Sequence, residues 1–402
     1  MREIRIGMIG GVDSGKSSTL SVLINKELDD GNGKARSKIF QHKHERESGR
    51  TSSISINYLP TKDICYSLVD LAGHEKYLKT TVKGLSGYYI DYVVIVVGAN
   101  MGFNVMSIEH LKLAILFKIP YIIVITKIDL CPENILKETL EKVKEIVKKL
   151  SGNRNQNILS IIKEPADYPA DLSRICPVFM ISNKTGVNVD LLRNYITSLP
   201  SRFTWICGDT EIPLFITYNI FLVKGVGLVL SGKTIRGIVR KGERLVGNVN
   251  GKWKEMVIRN IHDNFQTNVD VLNAGEAGCL AIKFKEEIRK DQLKHGMILT
   301  SRAGIHQSCE FKAEVMILNT HSITMGIGYQ PLINCGIAHQ TARILEMDRE
   351  VLRGGERAMV KFQFLHHPEY IETGQYFVLR EGKTKGFGKI LETYNSFGKG
   401  SQ

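Results

Sequence analysis

Seven cysteines are scattered through 402 residues with no C-x-x-C pair, and their number is odd. That pattern argues against a disulfide framework and against a zinc site, and favours a reducing interior. No apolar signal core follows Met1-Arg2-Glu3-Ile4-Arg5, and no apolar run approaches membrane-spanning length, since Tyr92–Val97 is only strand-sized. A soluble, cytoplasmic protein with no membrane partner is therefore expected. Low-complexity tracts and sequence repeats are lacking too. Acidic residues are the minority: 41 Asp+Glu against 54 Lys+Arg leave a net charge of +13. The excess favours an acidic partner, nucleic acid being the commonest, or else a generally basic surface. What remains is ordinary for globular protein, 43% hydrophobic and 24% charged, at a length that suits two or three domains.

The most informative stretch is Gly10-Gly11-Val12-Asp13-Ser14-Gly15-Lys16-Ser17, which fits G-x-x-x-x-G-K-[ST], a loop that wraps nucleotide phosphates. Glycines at both ends let the backbone curl until successive N–H groups face one concavity. Lys16 adds positive charge for the β- and γ-phosphates, and the Ser17 hydroxyl suits one position on Mg²⁺. The context agrees. Ile4, Ile6 and Met8 alternate as in a strand, and Leu20, Leu23, Ile24 and Leu28 follow at helical spacing. Strand, glycine loop and helix is the setting that the motif requires, and the helix N-terminus adds its own N–H groups and dipole.

The alternation continues with strands predicted over 66–69, 92–97, 121–125 and 177–181, and helices over 108–117, 135–150 and 191–199. Strands apolar on both faces belong inside a mostly parallel sheet with helices on both sides, whose ligands bind at the carboxyl ends of the strands. Polar clusters fall at those ends. Asp70 is placed to hold Mg²⁺ and Gly73 to offer its N–H to a γ-phosphate. In Thr126-Lys127-Ile128-Asp129, a carboxylate at Asp129 would pair with the N1–H and 2-amino group of guanine. Adenine lacks that pair of donors, so Asp129 argues for GTP over ATP. Ser182-Asn183-Lys184 closes the set, with backbone N–H groups within reach of the guanine O6. The polar run Lys38–Thr51 reads as a loop, with Thr51 a candidate second protein ligand for Mg²⁺ in the GTP state, released after hydrolysis.

The order GGVDSGKS, ERESGRT, DLAGH, TKID, SNK resembles the G domain of translational GTPases such as elongation factor Tu. More closely, HKHERESGRTSS, DLAGHEKYLKTTVKGLSG and TKIDLCPENIL resemble the subgroup called GTP-binding proteins one and two, and the likeness runs over about residues 3 to 393. The resemblance implies that Asp13, Ser14, Gly15, Lys16, Ser17, Ser18 and Gly73 surround the phosphates. Lys127, Asp129, Ser182, Asn183 and Lys184 would serve the base, and Thr126 completes the nucleotide-binding set. Ser17, Thr51 and Asp70 would hold Mg²⁺. His74 falls on the histidine that orients the attacking water once the ribosome fixes its position, and Asp13 on an aspartate linked to a monovalent cation. Four departures stand out. Thr126 replaces an asparagine whose amide braces the phosphate loop, and its hydroxyl is the available substitute. Arg50 replaces an isoleucine that forms half of an apolar gate around the water. Lys79, a candidate RNA contact, is followed by Thr80 where an asparagine is usual. Gly11 and Ser14 stand where the factor Tu type has histidines.

Beyond Pro200–Asp209 the helical pattern stops, and short strands and glycine turns take over. Gly225, Gly227 and Gly232 are read as turn formers. The run LVKGVGLVLSGKTIRG resembles the second domain of translational GTPases and a later set the third. The expected architecture is thus an α/β P-loop G domain (1–203) followed by two small antiparallel β-barrels (209–302 and 305–394). The expected function is that of a monomeric GTPase of slow intrinsic rate whose GTP/GDP switch engages tRNA and ribosome. Lys233, Arg236, Arg240, Lys241, Arg357, Lys361, Arg380, Lys383 and Lys385 form the pool of basic residues from which RNA contacts would come. Two alternatives remain: a GTPase switch in RNA surveillance or signalling with incidental hydrolysis, and the regulatory partner of a sulfate-activating enzyme, against which the HKHERESGRTSS element argues.

Overall fold

The run Arg2–Gly10 is buried at every position after its first, as a strand inside a sheet covered on both faces must be. A computed structural model describes residues 2–38, 54–151, 158–249, 252–301, 307–318, 324–381 and 383–394. Thr51, Arg50 and nearly all of the Lys38–Thr51 run lie outside these residues, as does the final stretch after Tyr394. The described chain divides into two units, Ile4–Arg202 and Phe203–Gln402, the latter taking in Met1–Glu3.

In the first unit β1 (Arg2–Gly10) leads to α1 (Lys16–Asn25), α2 (Lys34–Ser37), β2 (Ser55–Pro60), β3 (Ile64–Asp70), α3 (Leu78–Gly87) and β4 (Tyr92–Gly98). Then come α4 (Val105–Leu116), β5 (Tyr121–Thr126), α5 (Glu133–Ser151), β6 (Ile158–Ile162), β7 (Ile175–Met180) and α6 (Val189–Ser198). The sheet order is β2-β3-β1-β4-β5-β7-β6. β2 pairs antiparallel with β3, whereas β1–β4, β4–β5, β5–β7 and β7–β6 are parallel. On one face Leu20 and Leu23 of α1 and Leu192 and Ile196 of α6 share a core with Ile4, Ile6, Met8, Val94 and Val96. Successive strand residues point to opposite faces, and Val93, Ile95 and Val97 are as buried as their neighbours, so the other face is covered too.

Four elements of this unit, α2, β2, β6 and α3, are absent from the sequence reading. β2 and β6 are the two edges of the sheet, where one side of the strand needs no continuous apolar run, and Ile158 and Ile161 of β6 are exposed. Helix α3 buries Leu78, Thr81, Val82 and Leu85 at helical spacing, yet its two glycines and paired threonines are poor helix formers. Packing decides for it against its own propensity.

The second unit is β throughout. Its first part runs β8 (Leu214–Val223), β9 (Gly227–Arg236), β10 (Ile238–Arg240), β11 (Arg244–Val249), β12 (Lys252–Asp263), β13 (Asn268–Val269), β14 (Val271–Asn273), β15 (Ala277–Phe284) and β16 (Ile298–Thr300). The chain of pairings β11-β16-β8-β9-β15-β12 returns on itself through β11–β12, closing a barrel. Gly225 and Gly227, at φ 81° and 98°, make the β8–β9 turn. Gly232 does not turn the chain. It sits within β9, where a Cβ would lie 2.0 Å from the Ile216 carbonyl oxygen. The second part, β17 (Glu310–Ile317), β18 (Leu332–Cys335), β19 (Ala338–Met347), β20 (Arg357–Phe364), β21 (Tyr376–Glu381) and β22 (Lys383–Tyr394), closes in the order β17-β20-β19-β18-β21-β22. Phe311, Phe362, Phe364 and Phe377 meet at its centre. All seven cysteines are free, and no helix among the described residues is long and apolar enough to cross a membrane.

Candidate functional site

The carboxyl ends of β1, β3, β4 and β5 converge on the loop between β1 and α1. Gly10 and Gly73 are in such close contact that a Cβ on Gly73 would stand 2.4 Å from the Gly10 carbonyl oxygen. Only glycine at 73 permits β3's end to lie against the loop. A Cβ on Gly11 would meet the Asn104 amide nitrogen at 2.3 Å. That amide belongs to the cap of α4, whose Oδ1 accepts the Ser107 N–H at 2.8 Å, so it is not free to move aside. The glycine at this position thus has a physical reason.

The loop is clasped from the end of β5. The Thr126 hydroxyl donates to the Ser14 carbonyl at 2.6 Å, and Lys127, in the left-handed region at φ 58°, donates from Nζ to the Asp13 carbonyl at 2.8 Å. The C=O and N–H groups flanking a trans peptide bond point opposite ways. Holding the Ser14 carbonyl from outside therefore turns the Gly15 N–H to the other side of the loop. The hydroxyl of Thr126 does provide the brace expected of the missing asparagine. At the start of α1 the Thr19 N–H and hydroxyl both reach the Gly15 carbonyl, at 2.8 and 2.9 Å.

Within this clasp lies a cavity lined by Gly11–Ser18, Arg36, Gly73 and His74. The buried Lys16 ammonium is ion-paired with Asp70 Oδ1, and the Ser17 hydroxyl donates to Asp70 Oδ2 at 3.3 Å. Hydroxyl, ammonium and carboxylate thus meet at the end of β3. His74 is half-buried; its Nδ1 accepts the Lys76 N–H at 3.1 Å, and its ring stands edge-on to Tyr77. Arg36, in α2, is a member of this lining that the sequence reading passed over.

A second cluster follows three residues after the clasp. Asp129 Oδ1 accepts the Ser182 hydroxyl at 2.6 Å, and Ser182 Oγ accepts the Thr185 N–H at 3.0 Å. Asn183 turns inward: its Nδ2 donates to Thr19 Oγ1 at 2.9 Å, and its carbonyl accepts the Asp29 N–H at 2.9 Å. Its side chain braces α1, leaving Lys184 exposed beside Gly31. Asp13, Ser14, Gly15, Lys16, Ser17, Ser18, Gly73 and His74 therefore share one cavity, while Thr126, Lys127, Asp129, Ser182 and Asn183 form the structure that holds or adjoins it.

His110 of α4 also escaped notice. It is fully buried, and neither ring nitrogen has a partner among the described residues. Burial, and then the nearby Lys16 charge, hold its pKa down at about 3. Its spacing with Ser107, Leu111 and Ala114 on the buried face of α4 was the available signal. In the second unit, Lys233 is fully buried and Arg380 nearly so, which removes both from the pool of surface cations. Lys361 reaches Glu310 and Glu346, and Arg357 reaches Glu314. Lys241 and Lys79 are exposed.

The family profile described as Elongation factor Tu GTP binding domain matches residues 1–201. GTP-binding protein 1 of Xenopus laevis is 37% identical over 427 residues, spanning 98% of this chain and 64% of that protein. GTP-binding protein 2 of Homo sapiens is 34% identical over 421 residues, spanning 97% of this chain and 69% of that one. The chain thus spans about two thirds of the length of these relatives. Among solved structures, a bacterial selenocysteine-specific elongation factor EF-Sec superposes with a TM-score of 0.75 at 20% identity, over 99% of this chain and 60% of its own. The GTP-bound Ski7 GTPase-like domain of S. cerevisiae does so with a TM-score of 0.72 at 13% identity, over 97% of both chains. At these identities the two structures share the fold.

Proposed function

The chain belongs to the translational GTPases of the elongation factor Tu type, and we propose that it binds GTP, hydrolyses it slowly to GDP, and uses the difference to engage tRNA and ribosome. One observation carries the nucleotide part. The four residues from Thr126 to Asp129 both clasp the phosphate loop, through Ser14 and Asp13, and present the Ser182-held carboxylate. These contacts support a phosphate site and a base site that share one strand end. In this reading Lys16 and the N–H groups of the loop receive the phosphates, Gly73 reports the γ-phosphate, and Asp129 reads guanine N1–H and the 2-amino group. Ser182 holds Asp129 in place, and Lys127 lies along the base.

Ser17 and Asp70 suit Mg²⁺: both offer hard oxygen, and the two oxygens already stand 3.3 Å apart. An ion that keeps several waters and takes phosphate oxygens needs few protein ligands. Bound there, it would neutralise charge on the β- and γ-phosphates. Thr51 is retained as the second protein ligand. Lys127 occupies the Asp13 carbonyl, which leaves the Asp13 side chain to serve a monovalent cation.

For hydrolysis, His74 is the group beside Gly73 in the cavity, and because its Nδ1 accepts from Lys76, its Nε2 is the nitrogen left for water. We assign it the orientation of the attacking water, with the phosphate charge stabilised by Lys16 and loop N–H groups. The basic balance of the chain, +13, supports an RNA partner. The deciding experiment measures GTP hydrolysis with and without ribosomes, for wild type and His74→Ala, alongside filter binding of charged and uncharged tRNA in both nucleotide states. Ribosome stimulation lost in His74→Ala with GTP binding intact is the expected result. Fast turnover by the chain alone, or equal and weak tRNA binding in both states, would move the function to a switch outside translation.

A further inference from the structure

The cavity lining contains two cations, Lys16 and Arg36. Lys16 is held by Asp70. Arg36 is half-buried, and its guanidinium makes no hydrogen bond or ion pair among the described residues. A half-buried arginine with no anionic partner among the described residues, set against a loop built for anions, has its chemistry directed at the ligand.

Its position is engineered by contacts distant in sequence. Between α1 and α2 the chain runs as a strap anchored at the base end of the site. The Asp29 N–H donates to the Asn183 carbonyl at 2.9 Å, and Asp29 Oδ1 accepts the Ala35 N–H at 3.0 Å. Ala35 is buried in the same core as Leu20 and Leu23 of α1. Asp30 Oδ1 accepts the N–H groups of Asn32 and Lys34 at 2.8 and 3.2 Å, which shapes the turn before α2. The strap therefore begins at Ser182-Asn183-Lys184 and ends with Arg36 beside Gly11–Ser18. Gly33 makes room for the guanidinium: at φ 92° it has no side chain, and a Cβ there would lie 2.5 Å from Arg36 Nε.

We infer that Arg36 is a phosphate ligand supplied in cis, a second cation beside Lys16 that closes on the nucleotide's phosphates. A planar guanidinium offers paired N–H donors that match two phosphate oxygens, and charge-assisted bonds of that kind are the strong ones. The chain then carries within its own site a positive charge of the type that many nucleotide hydrolases receive from a partner. Because the strap is tied to Asn183, the same segment makes the phosphate contact depend on the integrity of the base-site loop. This inference rests on Gly10–Ser17 being the phosphate cradle.

The test compares full-length wild type, Arg36→Gln, Arg36→Lys and Lys16→Ala by titration with fluorescent GTP and GDP at several salt concentrations, with thermal unfolding of the nucleotide-free proteins. Arg36→Gln is expected to weaken GTP and GDP binding by at least about tenfold at low salt, the loss of one charge-assisted pair. The difference from wild type should shrink as salt rises, Arg36→Lys should recover part of it, and the unfolding temperature without nucleotide should stay unchanged. Arg36→Gln binding GTP within twofold of wild type, while Lys16→Ala fails to bind, would overturn the role of Arg36 alone. Weakened binding that merely tracks a lowered unfolding temperature would overturn it as well. Intact GTP binding by Lys16→Ala would bring down the cradle and this inference with it.

Discussion

Replacing Thr126 by valine keeps the size and branching of the side chain and deletes one hydroxyl. That hydroxyl donates to the Ser14 carbonyl at 2.6 Å, and Thr126 is fully buried. An isostere leaves the carbonyl facing a methyl group at a site that water does not reach. The cost of a buried acceptor left unmade is about 1–3 kcal/mol. How it is divided depends on the loop. If Gly11–Ser18 keeps its shape without nucleotide, the whole amount appears as easier local opening of the loop in both states. If the loop relaxes when empty, the cost appears on binding, and GTP affinity falls by about 5- to 150-fold, since 1.4 kcal/mol is tenfold. The two shares sum to the same quantity in a thermodynamic cycle. Native-state hydrogen exchange at the amides of 11–18, with and without GTP, reads the first share, and nucleotide titration reads the second. Thr126→Ser retains the hydroxyl and should lose far less. A valine variant with both exchange and affinity within about 0.5 kcal/mol of wild type would refute the reasoning, because the brace would then contribute nothing.

Three further outcomes are expected. Asp129→Asn should weaken GTP by at least about tenfold and improve XTP, whose 2-oxo group takes a donor; unchanged GTP affinity in competition binding would remove Asp129 from the base site. Gly73→Ala forces a Cβ against the Gly10 carbonyl at 2.4 Å, backbone against backbone, so the loop or the end of β3 must shift; GTP hydrolysis should be abolished, and full activity would show that the two segments separate easily. For His110, folding depresses the pKa to about 3 from 6.5, so the unfolded chain binds the proton first. Stability should then fall as pH drops from about 6.5 toward 3, by up to about 1.4 kcal/mol per unit from this one group. His110→Leu should flatten that part of the pH profile of thermal unfolding, and an unaltered slope would mean that the ring is already protonated or hydrated in the fold.

Much of the candidate site's geometry was legible because it is built from a backbone curl and from single polar side chains at strand ends. Such features need particular residue types in a contiguous stretch: glycines around Lys16 and Ser17, or a carboxylate three residues beyond Thr126. The central strands were legible for a similar reason, since burial on both faces leaves unbroken runs such as Tyr92–Val97. Legibility failed where a residue's setting comes from distant chain. The edge strands β2 and β6 borrow their order from one neighbour each. Helix α3 overrides weak propensity by burying Leu78, Val82 and Leu85. Lys233 reads as a surface charge in sequence but is fully buried in β9. Asn183 reads as a base contact, yet its amide turns to Thr19.

By itself the sequence determined that a glycine loop sits between a strand and a helix, that the Asp129 carboxylate follows the third predicted strand after it, and that two β-rich segments come after. These are properties of short stretches, in which each residue's chemistry is spent locally. Only the tertiary structure decided that the Thr126 hydroxyl braces Ser14, that Gly11 is required by the amide of Asn104, and that Arg36, carried by a strap tied to Asn183, lines the phosphate cavity. Each of these joins residues tens of positions apart, and the physical reason is the same in all three. A hydrogen bond or a steric limit acts over a few ångströms of space, and no local pattern of residue types encodes which distant side chain will arrive there.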